Sequence, residues 1–346
     1  MTELPVITTD TGIKIYPIET PEQIQVAFAN KTCANYGLTG GGKSFVSETI
    51  LEGLSELIPR FLFYSATENV NGAYKAMSPS PVVFSTFSVE KFQLDMEFQD
   101  LIASTWKAGI DIDNLDRIYN LLTKDRKELD MILKQLDDIV SSNPEIKKEV
   151  DVKKIQLYQG FISQMSHQNL SDDDKKVVHR FGINPCLCIV VDDFAAELEA
   201  ASKSKSGGKE FFRSVTYNTR HYQTTWIFML QNVDAMDTKM RENVQTCIFV
   251  SPVHLRKYFN NKSNGFSSRD KSEAEQVADK IERMGGHRVV IFCRDGTSEH
   301  KWNYMIGKAN PKPKPGSKPL RMIMEAIEKE KSTVMISQNN QFSDLI

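Results

Sequence analysis

Gly37-Leu38-Thr39-Gly40-Gly41-Gly42-Lys43-Ser44 fills every fixed position of the pattern G-x-x-x-x-G-K-[ST], a spacing that makes a cradle for phosphate. The glycines let the backbone turn its N–H groups inward around phosphate oxygens, and a helix opening near Ser44 adds the positive end of its dipole. Lys43 then reaches the β- and γ-phosphates, the Ser44 hydroxyl ligates magnesium, and backbone through Phe45 completes the grip on the nucleotide. Hydrolysis needs a second, acidic element at the end of a neighbouring strand. The run Cys186-Leu187-Cys188-Ile189-Val190-Val191-Asp192-Asp193 supplies it in the right order along the chain. Asp192 is expected to hold magnesium through its water shell. Asp193 is expected to accept hydrogen bonds from the attacking water and is the candidate for its proton.

Gln231 ends the apolar run Trp226-Ile227-Phe228-Met229-Leu230. In a parallel sheet its amide emerges on the same edge as Lys43 and Asp192, where it can sense the γ-phosphate or orient water. An arginine, often donated by an adjacent subunit, is also wanted for the charge of the transition state. Arg220 and Arg241 lie closest to the core elements, and each could equally serve a surface salt bridge. No Asn-Lys-x-Asp element follows the P-loop, which disfavours a GTPase and leaves ATP with Mg2+ as the expected pair.

These residues require strands that end on one edge. Lys31 onward reads as strand, P-loop and amphipathic helix, with Phe45, Val46, Ile50, Leu51, Leu54 and Leu57 at helical spacing and Pro59 as a stop. Phe61–Tyr64 and Pro79–Phe87 give the next strands, Leu187–Val191, Thr224–Leu230 and Thr246–Val250 the later ones, and Arg288–Cys293 with His300–Met305 a hairpin about Asp295-Gly296. Gly12 to Pro17 belongs to an edge hairpin. The expected fold is therefore α/β: a P-loop NTPase with a mostly parallel central sheet flanked by helices, plus a helical insertion.

The chain divides by character into residues 1–88 (N-terminal strands and first part of the core), 89–182 (helical insertion), 183–309 (second part of the core) and 310–346 (a mobile basic and polar tail). In the insertion Leu115, Ile118, Leu122, Leu129, Ile132, Leu136 and Ile139 step by three and four, with Asp125 at the one seam position that is not apolar. That spacing predicts a long helix ended by Asn143-Pro144 and a returning helix over 145–166, packed as a hairpin.

With 43 Lys and Arg against 45 Asp and Glu, the net charge of −2 gives no global field for nucleic acid, so any such contact must be local. Lys203-Ser204-Lys205-Ser206-Gly207-Gly208-Lys209 and the stretch from Lys301 to Met324, which has no acidic residue, offer such local charge. Five cysteines without C-x-x-C spacing read as buried thiols of an intracellular protein. Neither a signal peptide nor a bilayer-length apolar run is present, so a soluble protein is expected.

The order P-loop, Phe61–Ser65 followed by Thr67-Glu68-Asn69, Val190-Val191-Asp192-Asp193, then Thr219-Arg220-His221-Tyr222 leading into Ile227–Gln231 resembles the FtsK-HerA superfamily. More narrowly it resembles the DNA-packaging ATPases of poxviruses and other nucleocytoplasmic large DNA viruses. The resemblance covers residues 31–90 and 183–252; the insertion departs from the compact family core, and Asp193 stands where many relatives have Glu. It implies an ATP-driven motor that moves double-stranded DNA into a preformed capsid, as a self-associated ring (pentamer or hexamer) with sites between subunits. It further implies capsid or internal-membrane partners, and residence in the virion or in the host cytoplasm or viral factory. A replicative or conjugative motor of the same superfamily, a nucleotide-binding virion protein without turnover, and a small-molecule kinase are the rival readings.

Overall fold

The computed structural model describes residues 4–38, 40–55, 57–78, 82–109, 111–163, 171, 184–203, 208–294, 299–306, 313–318, 321–322, 325–326 and 328–329. They form two compact units, residues 1–96 with 186–346 and residues 97–185.

The first unit is built on ten strands: β1 (Ile7–Thr8), β2 (Lys14–Pro17), β3 (Thr32–Tyr36), β4 (Arg60–Ser65), β5 (Val83–Phe84), β6 (Leu187–Asp192), β7 (Thr224–Leu230), β8 (Thr246–Phe249), β9 (Arg288–Cys293) and β10 (Trp302–Ile306). They lie side by side in the order β1-β2-β10-β9-β8-β3-β7-β6-β4-β5. From β8 to β5 every neighbouring pair is parallel, whereas β9 runs antiparallel to both β8 and β10. The expected α/β P-loop fold with a mostly parallel sheet is thus present. The N-terminal hairpin sits at the far edge, β2 lying parallel to β10.

Parallel strands are near-continuous apolar runs because both faces are covered. Period-two alternation sends Ala34, Tyr36, Ile189, Val191, Trp226, Phe228 and Leu230 to one face and Cys33, Cys188, Val190, Ile227, Met229 and Ile248 to the other. The second face is closed by helices α1 (Pro21–Phe28) and α2 (Lys43–Leu54), through Ile24, Phe28, Val46, Ile50, Leu51 and Leu54. α1 is fixed at its start by a Thr20–Gln23 capping box with Pro21 in the first turn.

Along the chain follow α3 (Glu68–Asn71), α4 (Val89–Gly109), α5 (Ile112–Leu122), α6 (Lys127–Ser142), α7 (Lys147–Ser163) and α8 (Ala195–Lys203). The remaining helices are α9 (Gly208–Tyr217), α10 (Thr219–Tyr222), α11 (Thr238–Asn243), α12 (Pro252–Asn260) and α13 (Ser268–Met284). The first face is closed by α9, α11, α12 and α13 through Phe212, Met240, Leu255, Tyr258 and Val277. All five cysteines are buried and none forms a disulfide. No helix among the described residues is long and apolar enough to cross a membrane.

Two expectations change. The seam from Leu115 to Ile139 is not one helix: α5 stops at Leu122 and α6 starts at Lys127. The Thr123 hydroxyl accepts from Asp125 N at 3.0 Å, a local bond that competes with the helix, so Asp125 is a turn residue and not a seam position. The second unit packs α5, α6 and α7 around Leu115, Ile118, Tyr119, Leu129, Tyr158 and Ile162, while Ile139 is half exposed. The chain after residue 310 is also not all loose. Pro313, Pro315 and Gly316 are buried, and Ser317 N donates to Pro59 O at 3.0 Å, beside the start of β4.

Candidate active site

Register brings the functional residues to one edge. Gly37 N donates to Leu230 O at 3.0 Å, Ala66 N to Asp192 O at 3.2 Å, and Val250 N to Tyr36 O at 3.1 Å, so the chain leaves β3, β4, β6, β7 and β8 side by side. Beneath the phosphate loop, the Asn35 amide of β3 donates to Ser47 Oγ at 3.2 Å and to Lys43 O at 3.4 Å, tying strand to helix.

Gly40 and Gly42 take left-handed φ of 76° and 95°, which only glycine adopts cheaply. Gly37 is demanded by packing instead: a Cβ there would collide with the Val250 side chain and sit 3.0 Å from Lys43 Cγ. Lys43 opens α2 and is buried, its Nζ donating to Gly37 O at 2.5 Å. Burial pulls its pKa down from the usual lysine value, and the carboxylates of Asp192 and Asp193 push back. Leu38, Ser44 and Phe45 are exposed on the same turn. Thr39 lies outside the described residues.

A cavity of about 230 Å3 opens between this loop and the strand ends, lined by Gly40, Gly42, Lys43, Ser44, Phe45, Thr67, Tyr74, Asp192 and Asp193 among others. Asp192 ends β6, and its Oδ2 accepts from Tyr74 OH at 2.9 Å. Burial, with Asp193 beside it, raises the Asp192 carboxyl from 3.8 to about 6, against the pull of Tyr74 and Lys43. Tyr74 is held in turn by buried Glu68, whose carboxylate accepts from Tyr74 N at 3.0 Å and Lys75 N at 2.9 Å.

Asp193 has φ of +57°, a conformation Asp tolerates better than most residues. Both its oxygens are engaged: Oδ1 accepts from Gln231 Nε2 at 3.1 Å and Oδ2 from Thr67 Oγ1 at 3.3 Å. Three adjacent strands, β7, β6 and β4, therefore hold one carboxylate from both sides. Gln231 reaches the cavity through this bond and does not line it. Behind it, buried His254 bonds Ser251 Oγ at 2.8 Å, and burial lowers its pKa against the backbone of Gln231.

The two arginines are elsewhere. Arg220 is on α10, before β7, so its backbone lies at the opposite edge, one seven-residue strand from the phosphate loop. At ~3.3 Å per residue that is roughly 20 Å, which excludes action on its own subunit's phosphate. Arg241 is 5% exposed. It donates to Ser263 Oγ at 2.6 Å, Thr238 Oγ1 at 3.2 Å and Val233 O at 3.3 Å, all inside its own fold. Of the lysines considered for DNA, Lys301 is paired with Glu273 at 2.7 Å and Asp270 at 3.0 Å, and residues 204–207 lie outside the described residues.

Sequence reasoning gave no role in the site to Thr67, Tyr74 or Val250. Thr67 carried a readable signal, a polar residue just past a core strand, as Gln231 is. Tyr74 and Val250 carried none, since their roles depend on strand order. The residues present fit a triphosphate and a divalent cation: a glycine cradle with no room for side chains at Gly37, a buried lysine, an exposed hydroxyl on Ser44 and a carboxylate on Asp192.

No protein-family model matches the chain. It is 24% identical over 342 residues to the uncharacterised protein B354L of African swine fever virus (isolate Tick/Malawi/Lil 20-1/1983), covering 91% of this chain and 92% of that one. Among solved structures it is similar to the genome packaging NTPase B204 from Sulfolobus turreted icosahedral virus 2 in complex with ATP-gammaS. That match has 11% identity and a TM-score of 0.36, over 79% of this chain and 95% of that one. It is also similar to VirB4 of Thermoanaerobacter pseudethanolicus, with 13% identity and a TM-score of 0.35 over 81% and 90% of the two chains.

Proposed function

We propose that this chain is an ATP-hydrolysing translocase of double-stranded DNA that packages a viral genome into a preformed capsid, working as a ring. The observation that carries the hydrolytic part is the convergence of Lys43, Ser44, Asp192 and the Gln231–Asp193–Thr67 clamp on one sheet edge. Backbone N–H groups of Gly40–Phe45 and the Lys43 ammonium bind the phosphates. Asp193, held from both sides, orients water and accepts its proton as the oxygen attacks the γ-phosphorus and ADP leaves. Magnesium, when held by Ser44 and Asp192, would neutralise charge on the β- and γ-phosphates.

Use of that energy on DNA rests on the Thr219–Tyr222 segment leading into β7 with Gln231 just past its end, the feature that resembles packaging motors. A viral protein matched over nine tenths of the chain supports a viral setting. Arg220 stands at the edge opposite its own phosphate loop, so a role for it in hydrolysis would be at a neighbour's site, as a ring allows. The test is displacement of a triplex-forming oligonucleotide from a DNA duplex by the purified chain with ATP and Mg2+. ATP-dependent displacement is expected; hydrolysis without displacement would remove the translocase reading and leave an ATPase.

A further inference from the structure

The phosphate loop has a cavity on each flank, and the site above uses only one. The second, of about 370 Å3, runs from Gly40–Gly42 to Gly286–Val289, where α13 turns into β9. β9 is antiparallel to β8, with Phe249 opposite Val290, so the start of β9 stands at the same edge as the phosphate loop. The turn is held in shape: Gly285 and Gly286 have φ of 60° and 74°, and Arg288 Nη1 donates to Gly285 O at 2.5 Å and Met284 O at 3.3 Å. Among the described residues, Arg288 Nε is buried without a hydrogen-bond partner.

The direction of a bound nucleotide is set by the first cavity. If the γ-phosphate faces Lys43, Asp192 and Asp193, the phosphate chain crosses the loop and the nucleoside leaves past Phe45, on the side away from β6. That is where the second cavity lies. Phe45, Val46, Val250 and Val289 give it apolar walls, and His287 and Arg288 a polar rim. An open cleft with apolar walls and a polar rim, of a size within the ~300–1,000 Å3 common for small ligands, suits a flat base with a polar edge. We infer that this cavity is the nucleoside pocket, with the His287 turn and Val250 as its outer wall. The assignment rests on the nucleotide reading of the P-loop.

Titration calorimetry of the full chain with ATPγS and with inorganic tripolyphosphate, both with Mg2+, separates the two. Wild type is expected to bind ATPγS at least tenfold more tightly than tripolyphosphate. His287→Ala combined with Val289→Ala should weaken ATPγS about tenfold and change tripolyphosphate less than twofold, while Lys43→Ala loses both. Equal wild-type affinities, or no effect of the double variant on ATPγS, would overturn the pocket and leave the P-loop reading standing. An equal loss for both ligands would show that the variants act through the loop, which also overturns it. Failure of wild type to bind either ligand would instead remove the P-loop reading.

Discussion

Gln231→Ala removes one of the two hydrogen bonds that fix the Asp193 carboxylate, leaving only Thr67 Oγ1 at 3.3 Å. A hydrogen bond to a charged acceptor contributes about 1.5–3 kcal/mol net. Gln231 is exposed and its bond is 3.1 Å long, so the low end applies. About 1.4 kcal/mol off transition-state stabilisation is tenfold in rate. Gln231 does not line the phosphate cavity, so the loss should fall on kcat and not on nucleotide affinity. Thr67→Val should act similarly. Because the two donors hold different oxygens of one carboxylate, the double variant should lose more than the product of the single losses, as coupled residues do. Steady-state phosphate release gives kcat, and fluorescence titration with an ADP analogue gives Kd. A Gln231→Ala enzyme with kcat within twofold of wild type, or with Kd raised in proportion to the lost rate, would refute the clamp.

Gly37→Ala should abolish tripolyphosphate binding because its Cβ would strike Val250, and adding Val250→Ala should recover part of it; calorimetry showing no recovery would place the obstruction elsewhere. Asp192 binds its proton more tightly in the native state than unfolded, so it costs stability increasingly as pH rises from about 4 through 6, and fully above that. At ~1.4 kcal/mol per pKa unit the cost is a few kcal/mol. Asp192→Asn should therefore melt higher than wild type at pH 8 without nucleotide, with the gap closing below pH 4; a gap independent of pH contradicts the cause given. Arg241→Ala should lower Tm by several degrees, as expected for a buried guanidinium losing four acceptors, the Asp234 carboxylate at 3.4 Å among them. Arg220→Ala should lose turnover, and mixing it with Lys43→Ala subunits should restore activity. Absence of recovery in the mixture would deny Arg220 a role across the interface.

Much of this was legible before any coordinates. β7 runs from Thr224 to Leu230 as the sequence indicates, because a central strand covered on both faces must be an unbroken apolar run. The same logic exposes Asp192 at the end of β6 and Gln231 past β7. Illegible features depend on which strands are neighbours. That Thr67 shares Asp193 with Gln231 follows from β4 and β7 flanking β6, and that Gly37 must lack a side chain follows from β8 flanking β3. Periodicity also misled where a break costs little: Leu122 and Leu129 keep helical phase across the Thr123–Arg126 turn, so the pattern reads as continuous.

The central claim is that the chain hydrolyses ATP to move DNA. Phosphate release with Mg2+, measured with and without double-stranded DNA on wild type and on Lys43→Ala, tests it most directly. The account predicts turnover by wild type that DNA stimulates severalfold, and none by Lys43→Ala in either condition. Tight ATP binding with no turnover, with or without DNA, would contradict it and make the site one that binds nucleotide without using it.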